Sequence, residues 1–333
     1  MIVINATNVN DAYYKCMIQF RRHMYSNEVI ELSTRGERRV KLAVPVSTLY
    51  KYPRERVLFD ETRDANPFFH FMEALWILAG RNDVTWLSQW LAKISEFTDD
   101  GETFYGAYGA RIFKDRQLYK VMERLRLDRA SSRAVVAIYE PADVNYSGKD
   151  LPCNCTIFLG IDHDRLNITV ANRSNDMIWG AYGANVVQFS TLQEYIAFNV
   201  DAKMGWYCQM SNNAHIYPDH EVTKRVLGDI QQPEDLYDPY CATPALRPYD
   251  MFTECQDPAR WDLDLQYFMD GSFDKLVYPY FKNVAVPMAE AHSFYRNDFL
   301  KPALELCDDI VAEDWRIACK VWLQRRINRR KVA

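Results

Sequence analysis

The chain has 333 residues, of which 48% are hydrophobic and 14% aromatic, with a net charge of −5. That length suits a large buried core, as one big domain or two ordinary ones. The acidic balance argues against a dedicated nucleic-acid binder, which carries a basic excess. No run approaches the roughly 18 apolar residues of a membrane span. Met1-Ile2-Val3-Ile4-Asn5 lacks a basic start before a long apolar run, so no signal peptide is expected. The eight cysteines are dispersed without paired CxxC spacing. They are expected to be reduced thiols in a cytoplasmic protein, with no metal site.

In chain order, residues 11–31 read as a helix rich in Arg, Tyr and Met, and Ser33 to Glu37 as a polar turn. Val40 to Leu49 has Val-rich strand character. Pro67 opens an apolar run closed by Gly80, so a buried helix over 67–79 is predicted, with Glu73 inside it. Residues 83–97 read as a second helix, Tyr105 to Gly109 as a loop, and 114–127 as a third helix. Strands are predicted at Val135–Tyr139, Thr156–Ile161 and Leu166–Ala171, the last two joined by the polar link Asp162-His163-Asp164-Arg165. Gln188 to Met204 carries the apolar spacing of a long helix. Residues 231–260, rich in Pro, Asp and Tyr, read as irregular. Residues 289–331 read as two helices ending in Arg325, Arg326, Arg329, Arg330 and Lys331.

The stretch 151–217 holds the chemistry. Cys153 follows a proline, Arg173-Ser174 lies twenty residues on across a predicted hairpin, and Asp176 follows three beyond Arg173. Asn185 opens a helix, and His215-Ile216-Tyr217 closes the segment. A thiolate is the strongest common side-chain nucleophile, and a guanidinium suits an anion. Cys155, two residues from Cys153, would face the same side of a strand. His70, His163 and His292 have no such neighbours and read as structural or exposed.

This order and spacing resemble the thymidylate synthase and pyrimidine-nucleotide hydroxymethylase family over roughly residues 10–220. The resemblance implies an α/β (α+β) three-layer fold with a mixed sheet, paired sheet to sheet in a homodimer. It implies a catalytic domain over 1–288 and a helical extension over 289–333. It implies that Cys153 adds to C6 of a pyrimidine nucleotide, with 5,10-methylenetetrahydrofolate as the one-carbon donor. Glu73, in Glu73-Ala74-Leu75-Trp76, would organise water near the base, and Tyr108 would lie near the nucleophile. Arg173 and Ser174 would bind the phosphate with Arg35, and Arg133 would reach it from the other subunit. Asp176 would contact the folate, His215 and Tyr217 the sugar. Asn185 would read the base edge, and an amide there favours uracil over cytosine.

Several positions depart from the synthase pattern. Ser132-Arg133-Ala134 keeps one arginine of a pair, and Asn154 replaces the histidine after the nucleophile. Ser211-Asn212-Asn213 stands in place of Gly-Gly-Asp. One extra residue lies between Gly180 and Asn185. No tryptophan is evident where synthases hold the folate, Ser95 or Phe97 occupying that region. The chain continues beyond Val284-Ala285-Val286-Pro287, where a closing carboxylate would end it. Asn154, Ser211-Asn212-Asn213, the missing tryptophan and the extended chain end would each loosen water exclusion, so hydroxymethylation of dUMP is favoured over reductive methylation to dTMP, which remains the alternative. Such variants resemble virus-encoded enzymes that make modified DNA precursors. The remote alternative is an inactive relative that binds nucleotide, or binds nucleic acid through the Arg-rich end.

Overall fold

A computed structural model describes residues 1–24, 30–32, 36–229, 238–243, 246–253, 255 and 257–332. Strand β1 (Ile2–Ala6) leads into α1 (Val9–Met24), which Asn8 caps by accepting the N–H groups of Asn10 and Asp11 at 2.9 and 3.2 Å. Strands β2 (Ile30–Leu32), β3 (Arg38–Lys41) and β4 (Val46–Tyr50) follow. The stretch predicted as one strand is therefore two, parted at Pro45, which has no N–H for a ladder. Helix α2 (Pro67–Leu78) forms as predicted, with Asn66 accepting Phe69 N–H at 3.2 Å and Gly80 left-handed beyond its end. The region 83–97 gives only the short α3 (Val84–Ser88) and a 3₁₀ turn over Ala92–Phe97. That turn buries none of its residues, so no apolar stripe extends the helix.

Helices α4 (Tyr108–Phe113) and α5 (Gln117–Leu127) precede β5 (Val135–Ala137), β6 (Asn154–Asp162), β7 (Arg165–Asn172) and β8 (Asn175–Asp176). A π-helical segment, Met177–Asn185, runs into α6 (Val186–Asn199). The helix predicted to reach Met204 stops earlier. The chain turns at Asp201, with φ of 52°, into β9 (Lys203–Ser211), a strand the sequence reading lacks. Then come β10 (Ala214–Ile216), α7 (Glu221–Asp229), α8 (Pro239–Ala242) and α9 (Pro258–Met269). The C-terminal region holds α10 (Val286–Arg296), α11 (Leu300–Leu306) and α12 (Glu313–Val332), three helices where two are predicted.

The main sheet has the order β1-β4-β9-β7-β6-β5 and is mixed, with β1–β4 and β7–β9 parallel and the other pairs antiparallel. A small sheet runs β2-β3-β10-β8. One face of the main sheet carries α1 and α6, α2 packs on α6, and α10 and α12 pack on α2. Residues Val186 to Ala197 of α6 are all buried, which marks it as the central helix between layers. Arg56 and Glu194 form a buried ion pair beneath the C-terminal helices. The other face of the sheet is open. Val135, Phe158, Trp206 and Met210 stand exposed on it. Among the described residues no helix is long and apolar enough to cross a membrane. Among the described residues, which include all eight cysteines, no disulfide is formed.

Candidate active site

The β6–β7 hairpin brings Cys153 and Arg173 together. Arg173 N–H donates to the Cys153 carbonyl at 3.0 Å, and its side chain donates to the carbonyls of Pro152 and Leu151 at 2.9 Å each. Its Nη2 lies 3.8 Å from Cys153 Sγ. Among the described residues Nη1 has no hydrogen-bond partner, so one guanidinium edge is available to an anion. Asn154 pairs with Asn172 and Thr156 with Ala171, so Cys155 is the extra residue of a β-bulge. Cys153 lies just before the strand. With Cys153 outside the strand and Cys155 in the bulge, the strand alternation behind the same-face expectation does not apply to the pair.

Tyr108 opens α4. That helix seats closely on α2 at Gly109, where a Cβ would stand 2.4 Å from the Ile77 carbonyl. Burial first, then the neighbouring Cys153 sulfur, suppresses ionisation of the Tyr108 phenol. Glu73 projects from α2 toward Gln188 of α6. Burial pushes its carboxyl up to about 7 against the opposing contact with Gln188, and its Oε2 has no hydrogen-bond partner among the described residues.

Asp176 and His215 are register partners on β8 and β10. Asp176 Oδ1 accepts the N–H groups of Ile178 and Trp179 at 2.8 and 3.1 Å and so caps the π-helical segment. Burial raises the Asp176 carboxyl above its ordinary range, while His215, those N–H groups and Arg63 oppose the rise. Tyr217 meets the His215 ring edge-on at 5.3 Å. Asn185 is buried at the end of the π-helical segment, and its Nδ2 donates to Asn175 Oδ1 at 3.2 Å. Asn175 in turn donates to Ser211 Oγ at 3.4 Å. Ser211 is the β9 partner of Asn172, which is the β7 partner of Asn154. Asn154, Asn172, Ser211 and Asn175 thus lie in strand register or hydrogen-bond contact between Cys153 and Asn185. Ser174, half-buried, sits between Arg173 and β8.

Arg133 stands apart, exposed in the turn before β5 at the far edge of the sheet. Arg35 lies outside the described residues. His70 and His292 are buried, and His163 is exposed at the hairpin turn. Sequence reasoning missed Arg63 and Trp179. Arg63 is buried, donates from Nε to the Ile178 carbonyl at 2.8 Å, and lies under the exposed Trp179 ring at 4.1 Å. Trp179 had a signal in falling three residues after Asp176, and Arg63 had none. Among the described residues no group of three His, Cys, Asp or Glu side chains is placed to hold a metal ion.

A thiol beside a guanidinium, two half-buried carboxyls and a buried amide are thus gathered in one part of the fold. The sequence matches the thymidylate synthase family model over residues 61–233, and the chain belongs to that family. Among its relatives is the deoxyuridylate hydroxymethyltransferase of Pseudomonas phage M6, 40% identical over 98% of this chain and 95% of that one. The deoxyuridylate hydroxymethyltransferase of Bacillus phage SP01 is 37% identical over 60% of this chain and 56% of its own. The crystal structure of thymidylate synthase from T4 phage shares the fold, with a TM-score of 0.50, 16% identity and coverage of 62% of this chain and 79% of that one.

Proposed function

We propose that this enzyme transfers a hydroxymethyl group to C5 of dUMP. The observation that carries the reading is Cys153 Sγ held 3.8 Å from Arg173, with Asn154, Asn172, Ser211 and Asn175 lying between it and Asn185. The relatives named deoxyuridylate hydroxymethyltransferase support the same reaction and base.

Cys153 attacks C6 of the uracil ring, and the Arg173 guanidinium complements the anionic sulfur and, through its unused edge, the phosphate. Ser174, Arg35 and, from a second subunit, Arg133 complete the phosphate site. Asn175 takes one N–H of the Asn185 amide. The other N–H and Oδ1 then match O4 and N3–H of uracil, a pattern cytosine inverts. His215 and Tyr217 hold the sugar. Glu73, poised near neutrality, exchanges protons with water by the base carbonyl. Tyr108 backs the nucleophile.

The folate fits this site. Buried Glu73 Oε2 has no hydrogen-bond partner among the described residues, and Asp176 and the exposed Trp179 ring stand at the start of the base-reading segment. Bound as 5,10-methylenetetrahydrofolate, it supplies the electrophilic carbon that C5 attacks. Loss of the C5 proton and of the folate would leave the nucleotide with an exocyclic methylene and C6 still bonded to Cys153. Water adds to that methylene and gives up a proton. The electron pair returns to the ring and expels the Cys153 thiolate, so nothing is oxidised or reduced.

We assign catalysis to residues 1–288 and give the helices from 289 onward the task of backing α2. We place the reaction in the cytoplasm, where free thiols, folates and nucleoside monophosphates coexist. The test is incubation with methylenetetrahydrofolate and each of dUMP, UMP, dCMP and CMP, followed by product mass. Hydroxymethylation of dUMP first among the four is expected. A preference for dCMP would overturn the reading of Asn185.

A further inference from the structure

The proposed reaction ends on water, and the roles assigned above leave one buried polar pair unused. Asn154 and Asn172 are register partners across the β6–β7 hairpin. Asn154 is wholly buried and Asn172 is 3% exposed. By hydrogen-bond geometry none of their four side-chain nitrogen and oxygen atoms is paired among the described residues, the Tyr108 phenol being the polar group that comes nearest to Asn154. Buried amides are nearly always paired, because an orphan keeps the full cost of leaving water. Two orphaned amides facing each other therefore serve something other than folding. Together they offer two acceptors and two NH₂ groups at one place, the setting in which a protein binds an ordered water.

Their position gives that water a use. Asn154 directly follows Cys153, and Asn172 directly precedes Arg173. The Tyr108 phenol neighbours both Cys153 and Asn154. On the other side, Asn172 is paired with Ser211, which leads through Asn175 to the base reader Asn185. The pair thus lies between the group that holds C6 and the group that reads the base edge.

We propose that Asn154 and Asn172 hold the water that quenches the exocyclic methylene, and so select the hydroxymethyl product; the inference rests on the hydroxymethylase reading. The water oxygen forms the new bond to the exocyclic carbon. The methylene electron pair moves into the ring as the C5 enolate, and the water proton leaves to solvent. The enolate then releases the Cys153 thiolate from C6.

Two substitutions test this. Asn154→Leu removes both polar atoms at similar volume, and Asn154→Ser keeps a hydroxyl and leaves room for a second water. The full-length enzyme is given dUMP and methylenetetrahydrofolate with β-mercaptoethanol, whose thiol captures an exocyclic methylene that water fails to reach. The wild type should give hydroxymethyl nucleotide. Asn154→Leu should melt no lower than wild type and still capture 5-fluoro-dUMP covalently. Its hydroxymethyl product should fall roughly tenfold or more, replaced by the thioether. Asn172→Leu should behave alike, and Asn154→Ser should keep most of the wild-type output. Wild-type hydroxymethyl yield without thioether in both Leu variants would overturn the inference. So would loss of fluoronucleotide capture together with a lowered melting point in both, which would make the pair structural. A wild type that makes methylated nucleotide would instead sink the hydroxymethylase reading itself.

Discussion

Cys153 and Cys155 are two residues apart, yet the bulge gives them different surroundings. Cys153 Sγ lies 3.8 Å from the Arg173 guanidinium, while Cys155 donates to the Cys153 carbonyl at 3.5 Å and its thiol is pushed up by burial against the opposing influence of Arg173. Cys153→Ala should abolish both turnover and covalent capture of 5-fluoro-dUMP, and Cys155→Ala should keep both, as read by mass spectrometry of the protein. Glu73 gives a second test. Its folded carboxyl is pushed from 4.5 up to about 7 by burial, so the folded state holds a proton that the unfolded state has lost between those values. The protonated form's stability is fully present below pH about 4.5 and is lost as pH rises through about 7. Glu73→Gln should therefore be the more stable protein above neutrality, by on the order of 1–3 kcal/mol in denaturant titrations, while losing activity. Most of the candidate site was legible because Cys, Arg, Asp, Asn and His-x-Tyr keep their spacing along one segment. Arg63 was not, since its tie to the Ile178 carbonyl spans 115 residues of sequence. Nor were the orphaned amides, because only the strand register shows that Asn154 and Asn172 face each other.

At the scale of elements, the π-helical segment Met177–Asn185 accounts for the extra residue counted before Asn185. A π turn absorbs one residue, and the α-helical register then resumes in α6 with Asn185 still buried. Strong local signals predicted α2 and the β6–β7 hairpin: a proline at the helix start, a glycine after its end, and a polar turn between alternating strands. β9 was missed because Gly205 and the polar or charged Lys203, Gln209 and Ser211 weaken its apolar pattern, and its place is set by pairing with the distant β4 and β7. The C-terminal helices show the same limit. Asp64, in the loop before α2, accepts bonds from Arg325, Arg326 and Arg329 of α12 at 2.7 to 3.1 Å. The Arg-rich end is thus an anchor for α12. Burial would raise the Asp64 carboxyl, but the three arginines hold it below its ordinary 3.8. The stability it contributes is present above that value and is lost as pH falls through the lowered one. Asp64→Asn should leave Arg326 and Arg329 without this counterion and Arg325 with only Glu61, at 4.0 Å. It should cost about 2–4 kcal/mol and expose α12 to limited proteolysis at neutral pH.

For the whole molecule, the open sheet face is the feature a monomer leaves unexplained. Val135 and Phe158 are register partners, and Trp206 and Met210 stand on the same side of β9, so the exposed apolar groups form one surface. A second copy packed on that face would also carry its Arg133 toward the neighbouring phosphate site. Arg133→Ala chains mixed with Arg173→Ala chains should then recover part of the activity both lack, because one hybrid site keeps both arginines. A monomer by sedimentation, or no recovery after proven subunit exchange, would contradict the shared site. The account as a whole turns on what meets the exocyclic methylene in the closed site. Hydride would leave dihydrofolate and a methyl group, and water leaves tetrahydrofolate and a hydroxymethyl group. The most direct measurement follows dUMP turnover in isotopically labelled water while dihydrofolate absorbance is monitored. The account predicts a hydroxymethyl nucleotide whose new oxygen carries the label, with no rise in dihydrofolate. Methylated nucleotide with stoichiometric dihydrofolate would contradict it.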